Sequence, residues 1–179
     1  EEDLSNLLDT QVLVEFFTHE NDRAEYITGF SDLNNFVDLE DIDFDAYETD
    51  SDILQVLDST PDLGREVSLR VRTDLLRSNC RVTNQPDWGD LFIQMKVNDM
   101  PDLASIAKYV VSHRRVSHFH EEIVEMVFTH LMEAFHPKEL MVAALYTRRG
   151  GIDINPVRAT DPDLIPEPFT KMGTRLGKT

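Results

Sequence analysis

Glu66-Val-Ser-Leu-Arg-Val-Arg-Thr-Asp-Leu-Leu76 alternates Val67, Leu69, Val71, Thr73 and Leu75 against Ser68, Arg70, Arg72 and Asp74. A period of two predicts a β-strand with one apolar face. The same signal recurs at Leu91 to Val97, with Leu91, Ile93, Met95 and Val97 on one side, and at Thr10 to Thr18, with Val12, Val14 and Phe16. Leu140 to Thr147 reads as a mixed apolar strand that runs into Arg148-Arg149-Gly150-Gly151. Two helices lie between the later strands. The first opens at Pro101, where the fixed φ of proline suits a first turn, and runs to about Val111. The second carries Ile123, Met126, Val127, His130, Leu131 and Phe135 at helical spacing, with Ser117 as its N-cap and Pro137 just past its end. Strand, strand, helix, helix, strand, with room for one more strand after Gly151, predicts an α+β fold.

With 179 residues, 41% hydrophobic and 28% charged, the chain is long and apolar enough to bury a core and hold one full domain with part of another. Residues 1–45 offer one strand and its approach, so they read as the tail end of a preceding unit, and 46–179 read as the complete one. The chain thus reads as a piece of something longer. A net charge of −17 argues against nucleic-acid binding, because a phosphate backbone would be repelled. No apolar run is long enough to cross a bilayer and no basic-then-apolar leader is present, which predicts no membrane association and a place in the cytoplasm. The run from Asp38 to Asp52 is dense in carboxylates and reads as a solvated connector or surface strand. It lacks the glycine that a calcium loop needs at its sharp turn.

Cys80, the single cysteine, can form no internal disulfide and is either an inert core side chain or a reagent. Arg77 and Arg81 flank it, and positive charge beside sulfur favours the thiolate. Asp87 follows past a Gln-Pro turn and precedes Trp88; burial beside an indole would raise its carboxyl pKa and let it share a proton with Cys80. Such a pair could attack an electrophilic carbon with sulfur and protonate the heteroatom that gains charge. The alternative for Asp87 is a turn aspartate that caps backbone amides. Ser117-His-Phe-His-Glu-Glu122 opens a helix whose free N–H groups could orient a carboxylate to accept hydrogen bonds from a guanine-like edge. His113, His118 and His120 invite a metal reading, but without a second cysteine, and with His118 and His120 two apart on a helix, no metal site is expected. His113 and His118 read as exposed polar side chains. Arg148-Arg149-Gly150-Gly151 joins two guanidiniums, which match phosphate oxygens, to two glycines that admit a close ligand, or else is a plain strand-end turn. No Gly-x-Gly-x-x-Gly is present for a Rossmann-type cofactor site.

Ser78-Asn-Cys-Arg-Val-Thr-Asn-Gln-Pro-Asp-Trp-Gly89, Phe119-His-Glu121 and Tyr146-Thr-Arg-Arg-Gly-Gly-Ile-Asp-Ile-Asn-Pro156 together resemble the NADPH-dependent 7-cyano-7-deazaguanine reductases, the nitrile reductases of queuosine biosynthesis, a tRNA modification pathway. The resemblance extends from about Gly29 to Arg158 and is to the C-terminal portion of the long, tandem type. It implies a tunnelling fold, an antiparallel sheet with two helices on one face in ββααββ order. It further implies that Cys80 adds to the nitrile carbon as a thioimide, that Asp87 protonates the nitrogen, that His120 and Glu121 bind the deazaguanine, and that Arg149 and Gly150 contact NADPH. Sites at unit and subunit interfaces imply a homo-oligomer, a dimer. The longer members carry an upstream Glu-Ser-Lys-Ser motif that this chain lacks, and the family commonly has phenylalanine where this chain has His113, histidine at Val116 and an acidic residue at His118. Two other readings remain: a non-catalytic module of the same fold that binds a purine or pterin or serves assembly, and a metal-dependent cyclohydrolase.

Overall fold

The computed structural model describes residues 2–12, 29–57 and 66–170. The strand expected at Thr10 to Thr18 lies, from residue 13 onward, outside them. In chain order the elements are α1 (Glu2–Leu8), β1 (Ser31–Asp32), β2 (Val67–Asn79), β3 (Pro86–Val97), α2 (Leu103–Ser112), α3 (His120–Phe135), β4 (Glu139–Tyr146), β5 (Val157–Ala159) and α4 (Glu167–Thr170). The fold is α+β. The strands form one sheet in the order β1-β2-β3-β4-β5. Pairing from β2 to β5 is antiparallel, whereas β1 runs parallel to β2 with Ser31 opposite Val71, so the sheet is mixed.

Alternation in β2 follows the expected register through Thr73 and then breaks. Thr73 pairs with Leu91 but Leu76 pairs with Gly89, three residues against two, which is a β-bulge. The bulge shifts the inward set from odd to even positions, so Leu76 and Ser78 are fully buried while Leu75, expected inward, is only half-buried. Inward-facing Leu69, Val71, Ile93, Met95, Val97, Leu140, Val142 and Ala144 pack with Ile106, Val110, Ile123, Val127 and Leu131 of α2 and α3 in one core. Both helices therefore cover the same sheet face. On the other face Phe92, Met141, Ala143 and Leu145 meet Phe30, Val157, Leu164, Ile165 and Phe169. There Phe92 makes edge-to-face contacts with Phe30 at 5.3 Å and Phe169 at 5.4 Å.

Helix ends depart from the sequence reading by local chemistry. The first turn of α2 begins at Leu103 rather than at Pro101, with Asp102 as N-cap accepting from the Ala104 N–H at 2.9 Å. Ser117 does not cap α3; the N-cap is Phe119, whose own N–H donates to the Glu122 carboxylate at 2.8 Å. Ser117 instead donates to Asn84 in the β2–β3 turn, at 3.4 Å. The acidic stretch is a strap over the core. Asp38 and Asp50 each accept from the amide two residues on, at 3.0 Å, while Leu39, Ile42, Phe44 and Ile53 pack inward and the intervening carboxylates face water. No helix among the described residues is long and apolar enough to cross a membrane.

His113, expected at the surface, is fully buried. Its Nδ1 meets the Tyr109 carbonyl at 3.1 Å, its ring stands edge-on to Tyr109, and its Nε2 has no partner among the described residues. Burial, only partly opposed by backbone contacts, lowers its pKa from 6.5 to about 4, and the charges of His130 and His118 push the same way. Between those values the unfolded chain binds a proton that the folded chain refuses, so folding stability falls as pH drops through this window. The full loss is on the order of 3 kcal/mol. Urea unfolding midpoints measured from pH 7 to pH 4 should fall less steeply in His113→Phe than in the parent; equal slopes would show that this ring does not govern acid stability.

Candidate active site

The β2–β3 hairpin places the thiol. Cys80 follows the last residue of β2, its N–H donates to the Gln85 carbonyl and its carbonyl accepts from the Asn84 N–H, both at 2.8 Å, with Asn84 in the left-handed region at φ 55°. Asn79 ties this turn to the approach of α3, donating from its N–H to the Val116 carbonyl at 2.9 Å and accepting from the His118 N–H at 3.1 Å. Cys80 is partly exposed. Its pKa lies below the ordinary thiol value because the Thr83 hydroxyl, then the Thr83 and Val82 amides, hydrogen-bond the sulfur, against the opposing effects of burial and of the Asp87 carboxylate. The flanking arginines do not supply this effect. Arg77 donates to the Arg114 carbonyl and lies over Trp88, while Arg81 pairs with Glu122 at 2.9 Å, contacts His118 at 3.1 Å and covers the Phe119 ring.

Asp87 is not a turn residue but belongs to β3, opposite Ser78 on the helix-facing side, and is 1% exposed. Trp88 is the next residue along the strand, so it points to the opposite face and is 39% exposed. The indole expected beside the carboxyl is therefore replaced by two other groups. Arg149 donates from Nε to Asp87 Oδ1 at 2.6 Å and forms an ion pair through Nη2. His120 Nε2 sits 3.4 Å from Oδ2. The His120 ring is stacked on Tyr146, with centroids 3.8 Å apart and planes 9° apart, and its Nδ1 faces the Ile154 carbonyl at 3.4 Å. Glu121, next to it in the first turn of α3, is exposed.

Arg149 bridges from the end of β4 to the hairpin, reaching Gln85 Oε1 at 2.5 Å and the Pro86 carbonyl at 2.9 Å as well as Asp87. Beside it, Gly150 and Gly151 adopt φ 56° and 80° in a two-residue turn closed by paired backbone hydrogen bonds between Arg149 and Ile152. Arg148 is held apart from this cluster by Asp153, in a two-pronged contact at 2.9 and 2.6 Å. Thus the structure gathers Cys80, Asp87, His120 and Arg149 at one end of the sheet, with Glu121 and Gly150 at its rim. His118 pairs with Arg81 and Glu122, and no group of three metal-ligating side chains occurs among the described residues. Sequence reasoning missed Thr83, Gly89 and Tyr146 as parts of this cluster. An isolated glycine inside a strand was the available signal, since it marks close approach of another group.

Residues 86–163 match the family model of the QueF-like proteins. Against the NADPH-dependent 7-cyano-7-deazaguanine reductase of Psychrobacter cryohalolentis the chain is 37% identical over 173 residues, covering 93% of this chain and 60% of that one. This chain is similar to the C-terminal part of such reductases. The reductase of Coxiella burnetii is 39% identical over 160 residues, covering 89% and 54%, and that of Acinetobacter baumannii 45% over 106 residues, covering 59% and 39%. The chain spans about half the length of these reductases. Among solved structures, the archaeosine synthase QueF-Like in the apo form aligns over 56% of this chain and 95% of that one, at 19% identity and TM-score 0.47. Asp87, His120, Glu121, Arg149 and Gly150 fall inside the QueF-like match, and Cys80 lies just before it.

Because the Thr83 hydroxyl leads the stabilisation of the Cys80 thiolate, Thr83→Val should raise the pH midpoint of Cys80 alkylation by iodoacetamide and slow the reaction severalfold at pH 7. An unchanged pH profile would remove Thr83 from the account.

Proposed function

We propose that the chain is the thiol-bearing C-terminal unit of an NADPH-dependent 7-cyano-7-deazaguanine reductase, an oxidoreductase that converts the nitrile to the aminomethyl group in queuosine biosynthesis. The observation that carries this reading is a partly exposed, acidified thiol at the hairpin end beside a buried Asp87 that is contacted by His120. In this reading the sheet with two helices on one face is a tunnelling fold. Residues 46–179 form the unit and 1–45 end a preceding one, whose last part, from Ser31 to Phe44, packs onto this sheet and core. The assembly is a homodimer in the cytoplasm, and the charge of −17 on this chain keeps it off nucleic acid.

A nitrile is a weak electrophile, so its activation needs a soft nucleophile together with an acid at nitrogen. Cys80 passes its proton to the Asp87 carboxylate and its sulfur attacks the nitrile carbon; the C–S bond forms as one C–N π pair moves to nitrogen, which takes that proton back from Asp87 and leaves a thioimide. His120 and Glu121, side by side at the start of α3, bind the deazaguanine edge. Arg149 and Gly150 fit the anionic part of NADPH: a guanidinium stands beside two glycines whose missing Cβ positions meet nothing among the described residues. NADPH, when bound, would supply the two hydrides that take the thioimide to the amine, with the C–S bond breaking between them to return Cys80 as the thiolate. Arg149 is also the ion-pair partner of Asp87, so cofactor capture through that side chain and the freedom of Asp87 to give up a proton are physically linked.

Adding 7-cyano-7-deazaguanine to the full chain should increase its mass by that of the ligand and produce a new absorbance band. Cys80→Ala should abolish both, and Asp87→Asn should slow adduct formation by about 10²- to 10⁴-fold, the usual range for removing a general acid. An adduct on Cys80→Ala would refute the assignment.

A further inference from the structure

Tyr146 is fully buried at the end of β4, although its hydroxyl does no evident polar work. The buried Ser78 hydroxyl lies beside it, and among the described residues neither makes a hydrogen bond of good geometry. Burial, followed by the charges of Asp87 and Glu121 and only partly offset by Ser78, pushes the phenol well above its ordinary range, so it stays neutral. The ring has a different relation to the site. Gly89 pairs with Tyr146 across β3 and β4, and a Cβ at Gly89 would stand 3.1 Å from Tyr146 Cδ1 and 3.2 Å from Cε1. The Cδ1 and Cε1 atoms of the ring therefore press against the bare backbone of Gly89. Its face carries the His120 imidazole, nearly parallel and 3.8 Å away.

We propose that Tyr146 is a positioning residue: its ring, wedged between the Gly89 backbone and the His120 imidazole, sets the plane of that imidazole and hence the direction in which His120 Nε2 meets Asp87. An imidazole held only by its own torsion would be free to turn about the last bond of the side chain, because that torsion is broad. Stacking against a ring that cannot move removes this freedom. Gly89 is the second half of the device, since any side chain there must displace the tyrosine ring. The role belongs to the aromatic face and not to the hydroxyl.

The kinetic part of this inference rests on the reductase reading; the geometric part does not. In the full chain with ¹³C-labelled histidines, the His120 ring protons, assigned by their loss in His120→Gln, should show an upfield ring-current shift. Tyr146→Phe should keep that shift and hold kcat/KM for 7-cyano-7-deazaguanine within about twofold. Tyr146→Leu should lose it and lower kcat/KM about 10- to 100-fold, the scale of a misplaced binding group. If Tyr146→Leu does not fold, Gly89→Ala, which asks the ring to yield by a few tenths of an ångström, should move the His120 signal in the same direction with the thermal transition retained. An unmoved His120 signal in these variants, or a Tyr146→Phe protein as impaired as Tyr146→Leu, overturns the proposal. A parent chain that forms no adduct at all overturns the reductase reading, while the NMR result still decides the role of Tyr146.

Discussion

A carboxylate with 1% of its surface exposed, at the end of a β-sheet, cannot stand alone, because an ionised group taken out of water without partners costs several kcal/mol. Asp87 therefore dictates what surrounds it. One partner, Arg149, comes from the end of β4 and the other, His120, from the first turn of α3. Meeting both demands holds three chain segments together: the hairpin, the helix start and the glycine turn. The same demand leaves Cys80 at the open side, where the sulfur is served by the donors of its own turn. The site is thus arranged around its acid, and the thiol is placed by the turn that leads into the acid's strand.

Two departures from regular strand geometry make this arrangement possible. The bulge between Thr73 and Leu76 changes the pleat of β2, so Ser78 rather than Arg77 faces inward opposite Asp87. Without the extra residue, Arg77 would be inward at that level. Gly89 then leaves room for Tyr146 to cross the sheet surface beneath His120. Both devices occupy the site end of the sheet, while the rest of β2 and β3 pairs in unbroken antiparallel register against the helices.

The strands and helices that build the core were legible because their apolar residues recur at periods that only a strand or a helix can use, and Leu91 to Val97 faces the helices as its alternation requires. Legibility failed where one residue's surroundings come from elsewhere in the chain. Arg77 and Arg81 flank Cys80 in sequence, yet their guanidiniums reach Arg114, Trp88, Glu122 and Phe119, since long side chains find partners in space. Trp88 is adjacent to Asp87 in the chain and on the opposite face in the sheet; that error was avoidable, because strand alternation forbids such neighbours from sharing a face. His113 looked polar and is core, since the last turn of α2 is buried and a neutral imidazole can be packed there.

Local covalent order by itself determined the long strands and the two helices of the core, the lone thiol, the acid after the Gln-Pro step and the arginine beside two glycines. It did so because periodicity, proline and glycine act on the backbone within a few residues of themselves. Only the tertiary structure decided that β1 joins the sheet in parallel, that a bulge re-aims β2, and that Asp87 pairs with Arg149 and His120 instead of lying against an indole. Those outcomes depend on which surfaces meet across long stretches of chain, where buried charge must find its counter-charge and packed rings must find room.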